Sequence, residues 1–173
     1  TKDLPSRVYT LGWREGKKFD LAEWWEAFQE KKSAPGATKG ETTVAPGGRD
    51  PKAVAASVLK ALRPYEANLE ELRAASRRPH ARFNMRYDQE NPAAILLPHL
   101  AVIKGVCQVL KIRALAELAL GEPSKALDDV QLMLYLTDSV KDEPLLISYL
   151  VRMADFQIAL QPVWEGLAAR RWS

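Results

Sequence analysis

The side chains able to do chemistry fall into a few groups, and the densest of them is basic. Arg73, Arg77, Arg78, Arg82 and Arg86, with His80 among them, occupy residues 73–86 with no acidic residue in between. A guanidinium presents a planar fork of donors that matches phosphate or carboxylate bidentately, so such a run suits an anionic ligand. A plainer reading gives the same residues structural work. Arg77 and Arg78 would offset the negative C-terminal pole of a helix ending there, while Arg82 and Arg86 coat the exposed side of an extended segment. The plainer reading is preferred. Nucleic acid is not expected as a partner, because the whole-chain excess is only +3 and stacking aromatics are not interleaved with solvent-facing basic residues.

Two charge pairs stand at helical spacing in apolar surroundings: Arg113 with Glu117, and Arg152 with Asp155. Buried charges must be paired, and a network of them can either line a cleft or lock adjacent helices together. Locking is the expectation, with all four residues near one another on facing helices. Trp24 and Trp25 would form either a ligand-stacking platform or, as preferred, an apolar contact with the main body. No metal is expected. His80, His99 and Cys107 are the only good nitrogen or sulfur ligands, and His99 lies eight residues from Cys107, too far for a shared local site. Cys107 on an apolar face reads as a small core residue rather than a nucleophile. The neighbouring carboxylates Asp128-Asp129 and Asp142-Glu143 point different ways on a helix or sit at its end, so no acid–base pair with divergent environments is visible. Thr1 as an N-terminal nucleophile is discounted, because the segment after it lacks the strands of that fold.

These residues need elements to hold them, and the elements are helical. Asp20 reads as an N-cap with Glu23 at the third helical position, followed by Leu21, Trp24, Trp25 and Phe28 on one face. Residues 1–32 thus form a Trp-rich opening module. Residues 33–50, SAPGATKGETTVAPGGRD, read as a flexible linker. The body, 51–173, begins with Asp50 capping Pro51, and Val54, Val58, Leu59 and Leu62 run to Pro64, which kinks the helix or starts another. Phe83, Met85 and Tyr87 alternate with polar residues and predict one short extended segment lying across helices. Asn91-Pro92 predicts a helix start with a kink at Pro98. From His99 to Leu120 the pattern is apolar almost all round, with Lys104, Gln108 and Lys111 on one wet stripe and Arg113 and Glu117 on another, as for a helix central in its bundle. Gly121 ends it and Pro123 starts the next helix, which buries Ala126, Val130, Met133 and Val140. Glu143-Pro144 then opens a last long helix expected to bury Leu146, Leu150, Met153, Ile158 and Leu160 and to bend at Pro162.

With 173 residues, 47% hydrophobic and 27% charged, the chain is long enough to bury roughly 70% of its unfolded surface without disulfides or metals. Its one cysteine forms no internal bridge, and charge interrupts every apolar run before membrane-spanning length. Residues 110–144 resemble a tetratricopeptide-type helical hairpin, with small residues at Ala114 and Ala126, a turn glycine at Gly121 and Pro144 beyond. The blocks SRRPHARF (76–83), LLPHL (96–100), LALGEPSKALDD (118–129) and EPLLISYLVRMA (143–154) resemble an uncharacterised family of bacterial all-helical proteins. That resemblance carries no established activity. It implies a longer protein with an apolar export or anchor segment, hence a processed or partial chain and a cell-envelope or periplasmic location.

The sequence therefore predicts an all-α fold of stacked, irregular tetratricopeptide-like hairpins. The function expected is a scaffold that binds a protein partner or copies of itself, without catalysis or cofactor. The alternative is a binding domain, or a helical hydrolase, that takes an anionic small ligand or envelope polymer through residues 73–86 and the inter-helix charge pairs.

Overall fold

The computed structural model describes residues 12–33, 50–78, 83–84 and 96–172. The elements are a 3₁₀ turn at Gly12–Glu15, α1 at Leu21–Ser33, α2 at Pro51–Leu62, a 3₁₀ turn at Arg63–Tyr65, α3 at Glu66–Ser76, α4 at Pro98–Leu120, α5 at Pro123–Asp138 and α6 at Leu146–Ala168. Among the described residues there is no strand, and the fold is all-helical. No described helix is long and apolar enough to cross a membrane. Of the predicted extended segment only Phe83 and Asn84 are described. The rest of it, most of the linker, and His80, Arg82 and Arg86 lie outside the described residues.

Local chemistry accounts for the helix boundaries. Asp20 Oδ1 accepts hydrogen bonds from the amides of Ala22 (2.9 Å) and Glu23 (3.0 Å), and Asp50 Oδ1 accepts from Lys52 N (3.2 Å) ahead of Pro51. Both satisfy amides that would otherwise lack a partner at a helix start. Pro64 does not kink one long helix; it sits in the 3₁₀ turn that separates α2 from α3. Pro98 likewise starts α4 instead of kinking a helix already under way. Leu97, just before it, has φ −118° and ψ 59°, because a residue preceding proline is pushed out of the helical region. α4 ends at Gly121, whose φ of +83° is the left-handed conformation that suits glycine.

α4 is the central helix: residues 109–118 are buried all the way round, and it packs against α1, α2, α5 and α6. Trp24 and Trp25 are 2% and 4% exposed, and both stack on Phe28, at 5.1 Å and 5.8 Å between ring centroids. They join the same core as Val58, Leu62, Leu110 and Met133. α5 buries Ala126, Val130 and Met133 as expected, with Val140 just after it.

α6 departs from expectation. Leu146, Leu150 and Met153 are 74%, 53% and 41% exposed, and Ile158 and Leu160 are only half-buried. The face turned inward is instead Ser148, Asp155, Ala159, Gln161, Pro162 and Gly166. Small and polar residues on that face let the backbone approach α4 and α5 closely, and Ser148 and Gln161 are answered by partners outside the helix. Apolar spacing alone selects the wrong side.

Candidate functional site

Asp129 is the centre of a charge network joining α3, α4 and α5. It is fully buried, and each carboxylate oxygen accepts from a different guanidinium: Oδ2 from Arg113 Nε at 2.9 Å, and Oδ1 from Arg73 Nη2. Arg113 also donates to Glu66 Oε2 (2.5 Å) and Glu117 Oε1 (3.3 Å), and Arg73 to Glu70 Oε1 (2.5 Å). Arg113 and Glu117 are thus paired, as their spacing predicts. Asp129, not distinguished in the sequence from its exposed neighbour Asp128, is the stronger partner. Burial raises the Asp129 carboxyl above its usual range, and the two guanidiniums oppose that rise. Burial, helped by the charge on Asp129, pushes Glu117 up to about 7 against the pull of Arg113. Between them the two arginines engage four carboxylates, and their guanidiniums are turned toward these partners.

Arg152 and Asp155 do not pair. Arg152 Nη2 donates to Asp138 Oδ1 on α5 at 2.8 Å, whereas Asp155 points into the core beside α4. The expected cluster of Arg113, Glu117, Arg152 and Asp155 is therefore not assembled. Asp155 is fully buried, and among the described residues neither carboxylate oxygen has a hydrogen-bond partner. Burial pushes it up to about 7, and the Lys104 charge partly offsets this. The same burial, with Asp155 nearby, raises the Cys107 thiol well above its usual value, which makes that buried sulfur unreactive.

Two polar groups had no signal in the sequence. Lys111, read as part of a wet stripe, is 2% exposed, with its ammonium 4.4 Å from the centre of the Phe19 ring. Burial lowers it to about 8, opposed by Glu165. Glu165 Oε1 accepts from Phe19 N (2.8 Å) and Gln161 Nε2 (2.7 Å), and Gln161 Oε1 accepts from Trp13 N (2.8 Å). These bonds fasten residues 13–19 to α6 beside a cleft of about 820 Å³, lined by Phe19, Leu21, Val54, Leu115 and Glu165 among others. Second, Glu143 accepts from Ser148 Oγ at 2.5 Å and lies 2.7 Å from His99 Nε2, whose ring stacks on Phe83 at 4.4 Å. The carboxylate stands between hydroxyl and imidazole. In a hydrolytic triad the imidazole holds that middle place, so this set fixes the start of α6 rather than activating Ser148.

Arg77 and Arg78 are exposed at the C-terminal end of α3. Among the described residues no group of three or more His, Cys, Asp or Glu is placed to hold a metal ion. Among the described residues, the largest group of exposed apolar side chains is on the outer face of α6, where Leu146, Ile147, Tyr149, Leu150, Met153 and Phe156 are each at least 40% exposed. Set against protein-family models, curated proteins and solved structures, the chain matches none.

Proposed function

We propose that this protein is a noncatalytic interaction scaffold whose helices pair as irregular, tetratricopeptide-like hairpins. The observation that carries the reading is the outer face of α6. Six large apolar side chains on one helix turn toward solvent while the opposite side fills the core, and a contiguous apolar patch of that size marks a protein contact. The hairpin reading is supported by Ala114 and Ala126, both fully buried on packed helices, and by the left-handed Gly121 between those helices. That Arg73 and Arg113 already bridge carboxylates of Glu66, Glu70, Glu117 and Asp129 weighs against the anion-binding alternative.

The test is proximity capture from the intact protein. A photoreactive side chain at Phe156 should yield a discrete adduct, with either a second copy or another protein, and a probe at exposed Lys125 should not. A protein that is monomeric at every concentration and yields no adduct from Phe156 would overturn the scaffold reading.

A further inference from the structure

Resting on the scaffold reading, we infer that the outer face of α6 is a homotypic interface, and that a second copy of this chain covers it through an antiparallel α6–α6 contact about a two-fold axis. Leu146, Tyr149, Met153, Phe156 and Leu160 recur at alternating steps of three and four residues, the spacing of a helix–helix seam. Leu150 and Ile147 widen it. The seam lies on the side opposite Ser148, Asp155 and Ala159, which are committed to the core. One helix therefore carries two packing faces, and only one has a partner within the described residues.

Charge and area argue for a second copy over a partner of different chemistry. Between residues 146 and 160 the only charged side chains are Arg152 and Asp155. Arg152 is held by Asp138 and Asp155 is buried on the far side, so the seam is electrically neutral and offers a charged partner nothing to recognise. A neutral apolar stripe laid antiparallel on itself meets no like-charge repulsion, as an isologous contact requires. At about 200 Å² per large side chain, the six exposed residues leave on the order of 600 Å² of apolar surface uncovered. A stable interface covers about 800 Å² on each partner, with about 65% of it apolar in homodimers, so the α6 face is of matching size. The two-fold axis then passes near Leu150 and Met153, the middle of the exposed stretch.

The experiment is sedimentation of the full chain over a concentration series, with the double variant Leu150→Glu/Met153→Glu alongside. The wild type should associate reversibly to a dimer. The variant should weaken that dimer about 100-fold, because four carboxylates would meet at the axis. Both positions face solvent in the monomer, so the variant should keep the helical circular dichroism and thermal midpoint of the parent. As a second readout, Leu150→Cys or Met153→Cys should form a disulfide-linked dimer on mild oxidation, while Lys125→Cys on exposed α5 should not. Buried Cys107 contributes no background. A dimer that persists unchanged in the double variant overturns the α6 assignment but leaves the scaffold reading standing. A monomeric wild type whose capture of a different protein is lost in the double variant overturns the second-copy inference and leaves the scaffold reading standing. A monomer that captures nothing overturns both.

Discussion

Asp129 shows how much of the interior depends on one carboxylate. Replacing it with alanine leaves the guanidiniums of Arg113 and Arg73 facing a dry space, and breaking one side of a buried ion network typically costs about 3–5 kcal/mol. We expect Asp129→Ala to lower the urea midpoint by that equivalent at unchanged slope. Adding Arg113→Met should recover part of the loss, since an apolar replacement of the whole pair is often near neutral. If the double variant is less stable than the single, the bonds of Arg113 to Glu66 and Glu117 outweigh the cost of leaving it without Asp129. The sequence makes the Arg113–Glu117 pair visible because residues four apart on a helix must meet. It does not reveal Asp129, Arg73 or Glu66, because the contacts joining them depend on how α3 and α5 dock on α4. For Arg152 the same local rule misleads: Asp155 is within reach along the helix, but Asp138 on the neighbouring helix makes the bond.

At the scale of elements, punctuation was the legible part. The aspartate caps, the prolines at helix starts and Gly121 each act within a few residues, so their physics is written locally. The face of α6 is not, because apolar residues surround that helix and the choice of buried side falls to Ser148, Gln161 and Gly166, whose partners are Glu143, the segment at residues 13–17 and Trp172. Two glycines separate these kinds of constraint. At Gly121 an added methyl would meet nothing within 4 Å, so Gly121→Ala should cost only the left-handed backbone strain, about 1–2 kcal/mol by urea denaturation. At Gly166 the methyl would run into the Trp172 indole, whose Nε1 donates to Val163 O at 2.9 Å. Gly166→Ala should therefore cost more than Gly121→Ala, and its cost should shrink when Trp172→Ala is already present. Strict additivity of those two substitutions would show that the indole can move aside freely.

For the whole molecule, composition and periodicity were enough to establish an all-helical fold with α4 at its centre, and the burial of charge on that central helix and on α6 sets how stability responds to pH. Stability rises with pH where the unfolded chain binds more protons than the folded one, and falls where it binds fewer. Asp155 and Glu117 titrate ordinarily at 3.8 and 4.5 but are held up to about 7 in the folded protein, chiefly by burial. Between those limits the folded state keeps protons the unfolded state has released, so stability falls as pH rises from about 4 to 7. Each group contributes a slope of up to about 1.4 kcal/mol per pH unit. Lys111 acts in the opposite window: held down to about 8 from 10.5, it has lost its proton in the folded state while the unfolded chain retains it, and stability recovers from about pH 8 until, near pH 9, the Cys107 thiol that burial keeps protonated begins to offset the gain. The expected profile is a trough near pH 7–8, where many proteins are at their most stable. Urea denaturation across pH 4.5–10 would trace it. Asp155→Asn provides the internal control, because it removes one titrating charge from a site where neither oxygen has a hydrogen-bond partner among the described residues. It should flatten the decline between pH 4 and 7 and exceed the wild type in stability at pH 8. A variant with the wild-type slope would mean that Lys104 keeps Asp155 ionised throughout, and the decline would then belong to the other carboxyls that burial raises, Glu117, Asp129 and Glu165.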